Sequence, residues 1–266
     1  EGRYYPAESG LYQYLVAAQM EHERHGPASG VYTACLDEMN LSQVEHYFSD
    51  FMMILEREGG SRELLCFPPE VAQDKCPFSR WSTIRLSPAL RFIGTVNFDE
   101  TTRLLSDRFL DRANLIELKS RALPSSTSQE PSRIAQSVGP MVQVGDIARW
   151  TRDAALPPSL APLVDRLRPV LNELGTPISP RTYRAMCRFI GSSAPFLTPA
   201  DALDVQVSQR VLPRIRGLMT RRQLDALDKL VQEVNASSEC SFTETRPRLE
   251  ELRDSASTRG WMVEDE

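Results

Sequence analysis

Apolar residues along this chain keep two rhythms, one short and continuous, the other helical. Val31 to Leu36 (VYTACL) is an unbroken apolar-leaning run with β-branched and aromatic members, followed at once by Asp37, Glu38, Met39 and Asn40. Such a run predicts a buried strand that needs cover on both faces. Arg91 to Val96 (RFIGTV) predicts a second strand ending at Asn97, and Asn114 to Leu118 a third, shorter one. Between the first two, residues 62–87 alternate weakly in the pieces RELLCF and WSTIRL around Pro68-Pro69. That pattern predicts a small hairpin or a pair of short strands. Helical spacing appears at Leu11, Tyr14, Leu15 and Ala18, closed by His25-Gly26-Pro27. It returns at Leu41, Val44, Phe48, Phe51, Met52 and Leu55, stopped by Gly59-Gly60.

The second half has a different character. Lys119 to Val138 is rich in Ser, Pro, Gln and Arg and reads as a long loop. Beyond it Leu160, Leu163, Val164, Leu167, Val170, Leu171 and Leu174 predict a helix. Ser179-Pro180 starts another whose apolar face is Tyr183, Met186, Cys187 and Ile190, with Gly191 expected as its C-terminal cap. Thr198-Pro199 opens a third, running toward Val211 and Leu212, and Thr220 with Gln223 forms a capping box ahead of a fourth. The polar tail from Ser237 leaves room for a short helix near 246–253. The predicted architecture is an α/β portion over 1–120, a linker over 121–144, a helical portion over 145–236 and a polar tail over 237–266.

Composition narrows the classes. A chain of 266 residues can bury roughly 70–75% of its unfolded surface, enough for one large domain or an α/β core with a helical appendage. The net charge of -5 argues against a broadly basic nucleic-acid surface but leaves room for local basic patches, such as Arg210, Arg214, Arg216, Arg221 and Arg222. Five scattered cysteines suit a reducing, cytoplasmic compartment rather than a disulfide scaffold. Cys35, Cys66 and Cys76 offer a metal trio in principle. No apolar run approaches the roughly 18 residues a membrane span needs.

Three polar clusters follow the predicted buried strands, and in open α/β sheets ligands sit beyond the strand C-termini. Asp37 and Glu38 suit a magnesium–nucleotide site, one acid supporting Mg²⁺ and the other taking a proton from an attacking water. They equally suit the acid-favouring start of the next helix. Asn97 offers a buried amide that orients a phosphate or water, or serves simply as a turn residue. Arg108 and Arg112, four apart, would share a helical face from which a guanidinium reaches a γ-phosphate, or pair with Asp107 and Asp111.

Together these stretches resemble the second half of an AAA+ ATPase core, in the flavour of the McrB-like NTPase subunits of modification-dependent restriction systems. CLDEMNLSQVEHYFSDFMMILE resembles that branch's Walker B strand and following helix, and LRFIGTVNFDETTRLLSDRFLDRANLIEL its sensor 1 strand and arginine-finger segment. ISPRTYRAMCRFIG resembles the sensor 2 helix of the lid, and ALDVQVSQRVLPRIRG a later lid segment. The resemblance implies a three-layer parallel-sheet P-loop NTPase fold followed by an all-helical lid. It implies Asp37 as the Mg²⁺-supporting acid, Glu38 as the water-activating base and Asn97 as sensor 1. Arg112 would be the trans-acting finger, with Arg108 as second choice, and Arg181 would approach the phosphates of its own subunit. It further implies Mg²⁺ with ATP or GTP, a homo-oligomeric, hexameric ring, and hydrolysis that drives DNA translocation or remodelling for a partner nuclease.

One departure is large: no G-x-x-x-x-G-K-[ST] occurs in the sequence. The chain is therefore expected to be a fragment that enters the domain after its phosphate cradle and to be inactive alone. Two alternatives stay open. One is a non-catalytic assembly module derived from the AAA+ fold; the other is a MoxR-like ATPase that remodels proteins, for which Arg80, Trp81 and Arg85 in the inserted hairpin are the pore-facing candidates.

Overall fold

The computed structural model describes residues 10–55, 62–66, 82–97, 103–118, 141–216 and 219–259, and the strand at 261–262; for residues 257–259 and 261–262 it describes the backbone alone. Gly59-Gly60, Cys76, Arg80, Trp81 and the loop at 119–138 lie outside the described residues. The chain divides into two units, one comprising residues 1–105 and 124–149, the other 106–123 and 150–266.

In the α/β unit, α1 (Leu11–His25) precedes β1 (Tyr32–Leu36), which is followed by α2 (Val44–Leu55). β2 (Glu63–Leu65) and β3 (Thr83–Arg85) pair antiparallel as the short hairpin the alternation predicts, and Arg85 lies 3.8 Å from Glu63 across it. β4 (Leu90–Gly94) then pairs parallel with β1, in a register that sets Tyr32 opposite Leu90 and Leu36 opposite Gly94. A parallel pair needs apolar cover, and α2 supplies it on one face. Phe48 and Phe51 each meet Phe92 with ring centroids 5.1 Å apart. α1 approaches β1 through Tyr14, whose hydroxyl donates to the Thr33 carbonyl at 3.0 Å. Residues 142–144 return to this unit, with Val31 N–H donating to the Val142 carbonyl and Val144 N–H to that of Ser29.

α2 begins three residues later than the apolar spacing suggests. Residues 37–43 form a polar turn in which Leu41 N–H donates back to Glu38, and Leu41 stays exposed instead of joining the helix face.

The helical unit opens on α3 (Asp107–Leu110), a single turn capped by Ser106. α4 (Val144–Trp150) spans the division, and α5 (Ala161–Glu173), α6 (Pro180–Ser193), α7 (Pro199–Gln206), α8 (Arg221–Ala236) and α9 (Thr245–Arg259) follow. A π-helical turn over Val207–Val211 and a 3-10 turn over Leu212–Arg214 extend α7, and β5 (Met219–Thr220) pairs parallel with β6 (Trp261–Met262). The caps predicted at Ser179, Thr198 and Thr220 are made, the last as a full capping box. One continuous core joins Leu163, Leu167, Leu171, Met186, Leu203, Leu227, Leu230, Phe242 and Leu249.

Four expectations change. Gly191 does not cap α6; the helix runs through it, and the glycine is needed because a Cβ there would stand 2.5 Å from the Ala154 Cβ. Asn114–Leu118 forms no strand, because its backbone turns to the helical unit, where Leu115 N–H donates to the Gln209 carbonyl at 3.0 Å. The short helix expected near 246–253 in the polar tail forms as the longer α9, and the segment is docked, with Phe242 and Leu249 fully buried. The boundary expected at residue 120 falls instead after Leu105, since residues 106–118 group with the helices, where Asp107, Asp111 and Glu117 pair with Arg216, Arg214 and Arg248. Among the described residues no helix is long and apolar enough to cross a membrane.

Candidate functional site

Because β1 and β4 run parallel, both deliver their C-terminal residues to the same edge of the sheet. The pairing continues past the strands: Thr95 N–H donates to the Leu36 carbonyl at 3.0 Å, and Met39 N–H to the Thr95 carbonyl at 2.8 Å. Gly94 permits this close approach, as a Cβ there would lie 2.6 Å from the Met39 sulfur. Asp37 and Glu38 are exposed at this edge. Glu38 has φ 49°, a left-handed conformation that a non-glycine residue adopts at a cost.

Side chains lock the loop. Thr95 Oγ1 donates to Asp37 Oδ1 at 2.6 Å and accepts the Glu38 N–H at 2.8 Å. Asn40, 1% exposed, uses its whole amide. Its Nδ2 donates to the carbonyls of Asn97 at 2.7 Å and Arg103 at 3.0 Å, and its Oδ1 accepts the Asn97 N–H at 3.2 Å. The Tyr47 hydroxyl, donating to the Met39 carbonyl at 2.6 Å, holds the loop from α2. Burial, and then the charge of Glu45, push this phenol up, so it stays a donor at neutral pH.

A cleft of about 700 Å³ adjoins the acids, lined among others by Tyr14, Thr33, Cys35, Asp37, Glu38 and Tyr47. Asp37 and Glu38 present hard oxygen donors, of the kind a magnesium ion takes when nucleotide phosphates and water complete its shell. Among the described residues no group of three or more His, Cys, Asp or Glu side chains could hold a metal by itself. The oxygens at this edge fit an ion shared with a phosphate, not one caged by protein.

The six predicted site residues fall in two units, Asp37, Glu38 and Asn97 in the α/β unit and Arg108, Arg112 and Arg181 in the helical one. Asn97 is exposed, and the buried amide expected there is supplied by Asn40. Arg108 and Arg112 do not share a helical face, because α3 ends at Leu110 and Arg112 lies in the following turn. Arg108 is exposed, whereas the Arg112 Nε and Nη1 are buried.

Neighbouring aspartates bind other arginines. Asp107 lies 3.3 Å from Arg216. Asp111 accepts the hydroxyls of Thr182 at 2.6 Å and Ser179 at 2.9 Å, with Arg181 at 3.7 Å and Arg214 at 3.8 Å. Burial pushes the Asp111 carboxyl up, but the two hydroxyls and the Arg214 and Arg181 charges outweigh it and hold the group below the usual range. Glu117 meets Arg248 at 2.5 Å, and Arg248 Nη1 also donates to the Ser208 carbonyl in the π-helical turn at 2.8 Å. Burial lowers the Arg210 guanidinium, whose Nε donates to the neutral Gln206.

Two residues escaped the sequence reading. Thr95 lies inside the apolar run FIGTV and reads as an ordinary β-branched strand residue; Asn40 reads as one more solvated residue after a strand. The only available signal was position, each standing within two residues of a strand-end cluster.

Residues 142–261, from just before α4 to the start of β6, are similar to a family described as Domain of unknown function (DUF8727). No curated protein and no solved structure matches the chain.

Proposed function

We propose that the chain is part of a nucleoside-triphosphate hydrolysing module of the AAA+ type, with ATP or GTP as substrate. The observation that carries this reading is the parallel pairing of β1 with β4, which sets Asp37, Glu38, Thr95 and Asn97 at one sheet edge. Asp37 binds the cation and Glu38 holds the proton removed from an attacking water, while Asn97 orients that water or a phosphate oxygen. A magnesium ion, when bound with the nucleotide, supplies neutralisation of the charge that develops on the phosphates. Arg181, at the first turn of α6, keeps the phosphate role that the resemblance assigns to it; within the helical unit it lies 3.7 Å from Asp111. Of the two finger candidates, Arg108 is exposed as a group that serves a neighbouring subunit must be. Such a neighbour implies a homo-oligomer, in the resembling family a hexameric ring in the cytoplasm that serves DNA and a partner nuclease.

The absence of a G-x-x-x-x-G-K-[ST] motif favours a second reading, a non-catalytic assembly module of the same fold. Hydrolysis of ATP and GTP by the full-length protein separates the two. Glu38→Gln is expected to lower kcat by about 10²-fold or more, as loss of a general base does. Arg108→Ala and Arg112→Ala should identify the finger, and mixing the variant that loses turnover with Glu38→Gln should restore some of it. Turnover that survives Glu38→Gln unchanged would end the catalytic reading.

A further inference from the structure

We infer that Thr95 is the positioning residue of the acid loop, its hydroxyl aligning Asp37 and Glu38 for a divalent cation and for water. This rests on the reading of the sheet edge as a metal–nucleotide site. A hydroxyl carries one donor and two acceptor lone pairs, and here donor and acceptor both act on the acids. The proton goes to Asp37 Oδ1 at 2.6 Å, and a lone pair receives the Glu38 N–H at 2.8 Å. That bond fixes the orientation of the Asp37 carboxylate and leaves Oδ2 and one Oδ1 lone pair for a cation.

The left-handed Glu38 is held by the bond its N–H gives to Thr95, which offsets a conformation that is costly outside glycine. The Thr95 backbone is held in turn. Its own N–H is bonded to Leu36 and its carbonyl receives Met39, so its backbone is clamped on both sides of the two acids. Its branched side chain restricts χ1, which makes it a stiffer strut than serine. Residues that orient a metal ligand through one hydrogen bond are worth about 10–100-fold in metal affinity.

The test is Mn²⁺ binding to the full chain, followed by paramagnetic relaxation of water protons, with hydrogen exchange of the Glu38 amide measured beside it. Asp37→Asn is expected to lose the site. Thr95→Val should bind Mn²⁺ about tenfold more weakly and exchange the Glu38 amide faster, while Thr95→Ser restores most of both. Thr95→Ala removes the same hydroxyl without new bulk and decides the question should the valine variant unfold. If the wild type binds no Mn²⁺ either alone or with ATP, or if Asp37→Asn binds as the wild type does, the metal reading of the edge falls. If Asp37→Asn loses the ion while Thr95→Val and Thr95→Ala bind normally, the positioning role alone is overturned. Equal weakening in the valine and serine variants also overturns it, since the hydroxyl would not be the cause.

Discussion

The two units differ in where they place their polar groups. In the helical unit the interior is one apolar cluster, and polar side chains serve as caps and ties around it. Asp204, 2% exposed, accepts the N–H groups of Glu244 at 2.7 Å and Thr245 at 2.8 Å, capping α9 from α7. In the α/β unit the sheet has two strands among the described residues, Thr33, Cys35 and Ile93 remain exposed, and a largely exposed polar network anchored by the buried Asn40 gathers at one sheet edge. Among the described residues both units hold one non-glycine residue at positive φ, but Phe242 (φ 50°) is fully buried in the helical core, whereas Glu38 (φ 49°) is exposed and held by polar side chains of the loop. A conformation that costs stability is informative where nothing in the packing requires it.

The contrast can be broken most severely in the helical core. Phe242→Ala removes a fully buried ring and is expected to cost about 3–5 kcal/mol in denaturant unfolding. A loss under about 1 kcal/mol would mean that α9 is not docked as described. Asp204→Ala comes next, leaving two α9 amides without their acceptor; a cost of about 2–3 kcal/mol is expected, with faster hydrogen exchange at Glu244 and Thr245.

Asp111→Asn weakens the tie between the 106–112 segment and α6, and about 2 kcal/mol at neutral pH is expected from loss of charge-assisted bonds. The sign with pH follows from the lowered carboxyl. Its stabilisation is complete above the ordinary aspartate value of about 3.9 and is lost as pH falls through the lower folded-state value. Wild type and variant should therefore converge on acidification; a gap that persists at low pH would refute the charge explanation.

The smallest effect sharpens the other side. Glu38→Gly relieves the left-handed strain, so stability should hold or rise by a few tenths of a kcal/mol even though a carboxylate is removed from the proposed site. A clear loss of stability would show that Glu38 holds the fold and not the chemistry.

Elements with strong local signals were legible in the residues. The capping box at Thr220 and Gln223 and the Ser179-Pro180 start formed as read, because each depends on groups three residues apart. Asn114–Leu118 was misread because strand formation needs a neighbour, and its backbone found Gln209 instead. Gly191 was misread because a glycine near a helix end looks the same whether it caps the helix or admits Ala154. At the candidate site Asp37 and Glu38 were legible as acids after a strand. The service of Thr95 and Asn40 was not, since it depends on residues 55 or more positions away.

The sequence alone determined which segments are strands and helices over most of the described chain, and that polar residues follow the two buried runs, because periodicity and capping act over a few residues. Tertiary structure decided that these runs lie side by side and parallel, that Asn40 and not Asn97 is the buried amide, and that residues 106–118 belong with the helices. Those outcomes rest on hydrogen bonds and ion pairs between distant positions, whose free energy exists only once the chain has closed the loops between them.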